Sequence, residues 1–266
     1  MMLSTTKNKT NKIKRILYSL GVAAFWLAVW WALAAIIGKE IILPEPPKVL
    51  EALMGLCREK EFWSAVGASF GRIVGGYAAG VAAGILLGIF AGALPLAAAL
   101  LSPAVNVLKA APVASFTILA MMWFKSGSLP LVLSAVMVMP MLYSATYHAV
   151  TTIDIKLLEM GKVFKLSENR IFFSIKLPSI MPHIIAAAAS ALGFAWKAGI
   201  AAEIICRPKE AMGSLLYDAK QYLEMPQVFA VTAVTVVLSI LLEVLFKKVA
   251  KAVDFSKGGE MNADKH

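Results

Sequence analysis

Lys109, Lys197 and Glu203 are the residues of this 266-residue chain best placed to do chemistry, because each sits inside a long apolar run. On insertion scales a charge there costs about 2.5–3.5 kcal/mol at the bilayer centre, so a partner, a wet cavity or a nearby interface must offset it. Lys109 is followed by Pro112, which lacks a backbone donor, frees a carbonyl and can kink a helix. An ammonium beside an interrupted helix suits an anionic solute. The competing reading is a lysine whose stem lies on apolar surface while its head reaches the interface. Lys197 and Glu203 are six residues apart and do not share a helix face. For Glu203, near the end of its run, both gating and snorkelling are open. Catalysis finds no clustered His, Asp or Cys set. Cys57 and Cys206 lack metal-ligand spacing; both fall outside on the topology set out below, where a disulfide between them is the lesser alternative to two thiols, and His148 and His183 have no clustered partners. No metal or cofactor is expected. A phosphate-binding loop needs G-x-x-x-x-G-K-[ST], and the pairs Gly38-Lys39 and Gly161-Lys162 are followed by Glu and Val. Any energy from ATP has to come from another chain.

Composition says what holds these charges. The chain is 59% hydrophobic and 16% charged, with a mean hydropathy of +0.75. Soluble domains run at roughly 45–50% apolar and about 25% charged. An integral membrane protein is the reading that follows. The net charge of +10 does not point to nucleic acid, because the basic residues lie in the gaps between apolar runs.

The runs predict an all-α protein with six spans in a membrane domain over 15–250, between a basic N-terminus (1–14) and a polar tail (251–266). The first span is Ile16 to Ile37, longer than the roughly 7–15 residues of a signal-peptide core, and so reads as uncleaved. The polar segment 39–67 holds the extended piece Leu43-Pro44-Glu45-Pro46-Pro47 and an amphipathic helix from Lys48 to Phe62. The second span, Ala68 to Leu94, repeats glycine every fourth residue at Gly76, Gly80, Gly84, Gly88 and Gly92. A second row, Gly67, Gly71 and Gly75, runs one position earlier and continues as Ala79 and Ala83. Such faces let another helix approach closely in lipid, so packing is the expected role. The third span lies within Ala97 to Phe124, interrupted at Lys109-Ala110-Ala111-Pro112. The fourth is Leu129 to Val150, the fifth about Met181 to Ile205, and the sixth Gln227 to Phe246 after a polar loop at 206–226.

Between the fourth and fifth spans lies the loop 151–178. It has five basic residues (Lys156, Lys162, Lys165, Arg170, Lys176), three acidic ones (Asp154, Glu159, Glu168) and an apolar set including Leu157, Val163, Phe164 and Ile171. It is too greasy for a plain loop and too charged for a span, so it reads as short amphipathic helices at a surface. Asp154 is placed to cap a helix through Phe164, and Ser167 a second one; Pro178 is placed to stop the second and start the fifth span. Six spans put both termini on one side. Lys and Arg number fifteen on the side of the termini and this loop, against eight opposite. The termini and loop are therefore expected in the cytoplasm, with 39–67 and 206–226 outside. The residues alone leave two roles open for the loop: a helix resting on lipid, or one docked on a cytoplasmic partner.

The loop resembles the EAA loop of permease subunits of binding-protein-dependent ABC importers, roughly EAA, three residues, G, nine residues, I-x-LP. Glu159-Met160-Gly161 stands for EAA, Lys165 falls where the glycine is expected, and Ile175-Lys176-Leu177-Pro178 matches I-x-LP. Lys165 is the largest departure, because lysine disfavours positive φ. Leu43-Pro-x-Pro-x-x-Val49-Leu50, the glycine-rich second span, Lys109-Ala-Ala-Pro112, Trp123-Phe124 before a glycine turn, and Ala195-Trp196 through Ala202-Glu203 look like the sulfonate, nitrate, taurine and pyrimidine-precursor branch.

The resemblance implies a multi-pass permease of a bacterial inner membrane that passes a small anionic or polar solute and has no ATP site of its own. Its implied partners are cytoplasmic ABC ATPase subunits, an external solute-binding protein, membrane lipid and a second copy of the chain. The implied ATPase contacts are Glu159, Met160, Gly161, Phe164, Lys165, Leu177 and Pro178. The candidates for the translocation path are Lys109, Pro112, Trp196, Lys197 and Glu203, the last also placed to meet the binding protein. The alternative is an ion-coupled secondary transporter, which needs inverted repeats or matched interrupted spans; no repeat between the halves is visible.

Overall fold

Among the described residues, five helices are long and apolar enough to cross a bilayer: 20–37, 60–93, 129–151, 168–206 and 225–250. They come from a computed structural model that describes residues 3–252. The expected tail, 251–266, lies outside the described residues apart from Lys251 and Ala252. The helices belong to two compact units: residues up to Lys60 with Asp218–Ala233, and Glu61–Tyr217 with the residues from Val234 onward.

In the first unit, α1 (Leu3–Ile37) is followed by α2 (Pro46–Leu56), which opens with prolines in its first turn where the missing N–H costs nothing. Trp30 donates its indole N–H to Pro44 O at 3.1 Å and stacks on Phe229 at 5.9 Å, pinning the extended prolines. Lys48 pairs with Glu40, and that hydrogen bond, with the nearby charges of Glu40, Glu45 and Glu51, holds its ammonium above the ordinary lysine value. The expected helix Lys48 to Phe62 is corrected. Its buried face, Val49 and Leu56, runs out at Leu56, and tight turns at Cys57 to Glu59 end it. The helix that follows starts at Lys60, eight residues before the expected second span.

That helix is α3 (Lys60–Ala93), and the second unit is built on it together with α6 (Leu129–Thr151) and α9 (Leu177–Cys206). The glycine row Gly76, Gly80, Gly84, Gly88, Gly92 lies against α6. A Cβ added at Gly76 would sit 2.2 Å from Leu131 O, at Gly80 2.6 Å from Ala135 O, and at Gly84 2.6 Å from Met139 O. These approaches bring backbone onto backbone, which only glycine permits. The second row makes no such approach: a Cβ at Gly67 or Gly71 meets nothing within 4 Å, and one at Gly75 meets only the Leu131 side chain, at an ordinary 3.6 Å. α9 closes the triad at Gly199, where a Cβ would lie 2.5 Å from Ile73 Cγ1 and 2.9 Å from Ser134 Oγ. Tyr77 Oη donates to Ala188 O at 2.9 Å across the same crossing.

The third expected span is two helices, α4 (Pro95–Ala110) and α5 (Val113–Ala120), bent by 105° at Ala111-Pro112. Among the described residues the count is therefore five continuous spans by length and composition, or six with the broken pair as one. Ala111 is extended, as the residue before a proline prefers. The halves find different neighbours: Val105 of α4 packs with Ala91 and Tyr143, whereas Ala120 of α5 packs with Leu133, Ala198 and Cys206.

The loop between α6 and α9 forms α7 (Ile155–Val163) and α8 (Glu168–Ile171). A π-helical turn at Phe172–Lys176 then joins α8 to α9 without a break. Pro178 was expected to stop the surface helix, and this is corrected. Leu177 N–H bonds five residues back to Phe172 O, so the extra residue in that turn absorbs what the proline cannot donate. The fifth span is thus one helix from Glu168, not from Met181. Then come α10 (Met212–Gln221) and α11 (Met225–Ala252).

Candidate functional site

At the α7 end of the second unit, the chain builds a rigid corner. Asp154 caps α7 by accepting from Lys156 N at 2.9 Å, and Ser167 caps α8 by accepting from Arg170 N at 3.4 Å. α7 ends with Lys165 N donating to Lys162 O at 2.9 Å and Leu166 N to Gly161 O at 3.0 Å. Those two bonds are the C-terminal pattern that needs a left-handed residue, ordinarily glycine. Lys165 takes it, with φ +50°. The bend therefore lies where the motif puts it, and lysine bears the strain. Behind it, Gly161 is buried; a Cβ there would be 3.0 Å from Ile175 Cδ1 and 3.3 Å from Ile171 Cγ1. The corner is α7 seated on the buried face of α8 and the π turn.

A left-handed L-residue costs roughly 1–2 kcal/mol. Lys165→Gly should thus leave stability unchanged or raise it by up to about 1 kcal/mol, since added chain entropy offsets part of the relief. Lys165→Val should lower it by at least as much. Thermal unfolding of the purified protein in detergent reads both, and equal effects of the two substitutions would mean the bend is not at Lys165.

The corner leaves much of its apolar surface without a partner among the described residues. Val163 is 78% exposed and Phe164 71%, with Met160 and Ile155 also exposed. Glu159, Lys162 and Lys165 surround them, also exposed. Leu177 is partly buried and Pro178 exposed at the base of α9.

The intramembrane candidates are not gathered into one place. Lys109 is exposed in the last turn of α4, where a cation complements the helix dipole, and its ammonium donates to Ser144 Oγ of α6. Pro112 is exposed at the bend. Lys197 is exposed on α9, but its neighbour Trp196 is buried and donates its indole N–H to Thr235 O at 3.0 Å.

Glu203 does not snorkel: it is 0% exposed. Arg72 Nη1 of α3 lies 3.3 Å from its Oε1, while Ser69 Oγ at 2.8 Å and Gly213 N at 3.1 Å donate to its Oε2. Arg72 also donates to Glu210 O (3.1 Å) and Lys209 O (3.0 Å), and Met212 N donates to Ser69 Oγ (2.9 Å). The short connector from α9 to α10 is thereby clamped to α3. The clamp holds two left-handed residues in place, Arg207 at φ +48° and Glu210 at φ +51°. Arg72 is the residue that sequence reasoning missed. Its signal was present: an arginine in a glycine-rich apolar run is as costly as the charges that were singled out.

Comparison with known proteins places this architecture. The chain matches the family described as binding-protein-dependent transport system inner membrane component over residues 84–255, nearly two thirds of its length. The putative aliphatic sulfonates transport permease protein SsuC of Escherichia coli (strain K12) is 32% identical over 238 residues, covering 87% of each chain. The taurine transport system permease protein TauC of the same organism is 26% identical over 238 residues, covering 86% of each. Among solved structures, the inward-facing MetNI methionine ABC transporter aligns with a TM-score of 0.54 at 17% identity, over 72% of this chain and 93% of that one. At that identity the likeness speaks for the helical fold alone. The family match and the sulfonate permease relative together make this chain a member of the binding-protein-dependent transport system inner membrane components, the permease subunits of ABC importers.

Proposed function

We propose that this permease passes a small anionic solute of the sulfonate or taurine type, with nitrate and pyrimidine precursors as neighbouring chemistries, and that a separate ABC ATPase drives it from the α7–α8 corner. The carrying observation is the corner: Val163 and Phe164 are exposed on a helix whose end is fixed by two backbone bonds and whose Gly161 is seated on Ile171 and Ile175. A rigid apolar knob with a charged rim suits insertion into a protein groove, where a few buried aromatics carry most of the binding energy. Met160, Val163 and Phe164 enter the groove. Glu159, Lys162 and Lys165 meet its edge. Leu177 and Pro178 pass its movement into α9. The corner and both termini face the cytoplasm, following the excess of Lys and Arg there, and a solute-binding protein meets the opposite face. Hydrolysis belongs to the partner.

For the path, Lys109, Pro112 and Lys197 supply exposed cations and freed backbone for an anion, while buried Trp196 and Glu203 hold α9 that carries the wall. One chain offers one corner, and a two-fold pair of chains, the commonest closed arrangement, completes the path. The names of the sulfonate and taurine relatives support the solute class.

Phe164→Ala should weaken ATPase attachment by roughly 2 kcal/mol, about 30-fold, if Phe164 is the anchor. The chain should still insert in the membrane. Reconstituted vesicles would show lost uptake with the residual ATPase activity no longer responding to loaded binding protein. Wild-type coupling in Phe164→Ala would rule the corner out as the ATPase seat.

A further inference from the structure

Behind the corner lies a cleft of about 420 Å³. Ile89 and Gly92 of α3, Val150 of α6, Leu158 of α7 and Ile180 of α9 are among its walls, and its one ionisable wall residue is Lys176 of the π turn. Lys176 is partly buried and makes no ion pair among the described residues. An ammonium in an apolar wall without a counter-anion is costly. The cleft lies at the C-terminal ends of α3 and α6, beside the π turn that leads into α9, and the ends of membrane-spanning helices are where the polar surface of a bilayer meets hydrocarbon. Apolar walls with a single cation at that level match an amphiphile with an acyl chain and an anionic head.

We propose that this cleft is a binding site for an anionic phospholipid of the surrounding bilayer. The phosphate sits at Lys176 Nζ and an acyl chain lies along Ile89, Val150 and Ile180. Basic pockets between spans at the membrane surface recognise headgroups in this way. Charge complementarity selects lipid over an uncharged hydrophobic occupant: the surrounding stretch, Asp154 to Pro178, carries five basic residues against three acidic ones. Because Leu158 of α7 is also a wall, the bound lipid braces α7 from behind. The site depends on the chain spanning a membrane and not on what meets the outer face of the corner.

The test uses the full chain purified with its partner chains and delipidated in detergent. It is titrated with phosphatidylglycerol and separately with phosphatidylcholine, with native mass spectrometry counting retained lipid. Phosphatidylglycerol should be retained preferentially. Lys176→Met should weaken that retention about fivefold, the equivalent of about 1 kcal/mol for one lysine at a membrane surface. Lys176→Arg should keep it. Ala93→Trp, which fills the cleft and leaves every charge in place, should also weaken it. Equal retention of the two lipids, or wild-type retention by Lys176→Met, overturns the proposal. So does phosphatidylglycerol bound to the chain alone but absent from the assembled complex, which gives the cleft to a partner protein.

Discussion

Gly76→Ala and Gly80→Ala should each destabilise the protein by about 1–3 kcal/mol, the cost of forcing atoms into a filled core. The new methyl at Gly76 starts 2.2 Å from Leu131 O and 2.8 Å from Ser134 Cβ; at Gly80 it starts 2.6 Å from Ala135 O. Those carbonyls belong to α6 backbone and cannot rotate away, so the helices must part along the seam. The two substitutions share one interface and should not add simply. Gly71→Ala should do the opposite. It has open space within 4 Å and gains up to about 1 kcal/mol in helix propensity. The contrast is sharp because Gly71 and Gly76 lie five residues apart on one helix. Thermal unfolding in detergent, followed by the monodisperse fraction on size exclusion, measures all three. A loss at Gly71 as large as at Gly76 would mean that the second row packs against something, and the single-seam account would fail.

Removing Arg72 should be worse than removing a surface charge by an order of magnitude in energy. Arg72→Met strands the carboxylate of Glu203, which is fully buried, and breaking one side of a buried pair costs about 3–5 kcal/mol. It also releases Lys209 O and Glu210 O, so the connector from α9 to α10 loses its hold. Glu203→Gln should cost less, because an amide oxygen still accepts from Ser69 Oγ and Gly213 N. The double variant Arg72→Met/Glu203→Leu should be more stable than Arg72→Met alone, since no charge is left unpaired. A double-mutant cycle in thermal unfolding gives the coupling, and limited proteolysis reads the connector directly: residues 207–214 should be cut earlier in Arg72→Met. Strictly additive effects would show that the pair contributes no more than two separate residues.

Much of this architecture was legible in residue order. The four-residue glycine period could serve one purpose in an apolar helix, and it meets α6 as a packing face should. Asp154 and Ser167 read as caps and act as caps, because capping is local: a side-chain oxygen reaches an amide two or three residues on. The family, too, was readable from the order and spacing of motifs over most of the chain.

What residue order left undecided involves more than one helix or more than one bond pattern. Two glycine rows looked equivalent, and only the position of α6 separates the row seated on its backbone from the row that is not. Pro178 carried a stop signal, but a π-helical turn lets the helix run through it. Pro112 marked an interruption without saying that the two halves turn by 105° toward different neighbours. Lys165 looked wrong for its turn, yet Gly161 packed on Ile171 and Ile175 holds the bend and the lysine accepts the strain. Glu203 looked like a lone charge near the end of a span because its partner, Arg72, is 131 residues away. Period, caps and apolar length are set by neighbours along the chain, and the sequence by itself determined the apolar runs, the glycine repeat and the two caps of the loop. Which charge finds which, which row meets a helix and how far a broken helix bends depend on helices distant in sequence, and only the tertiary structure decided them.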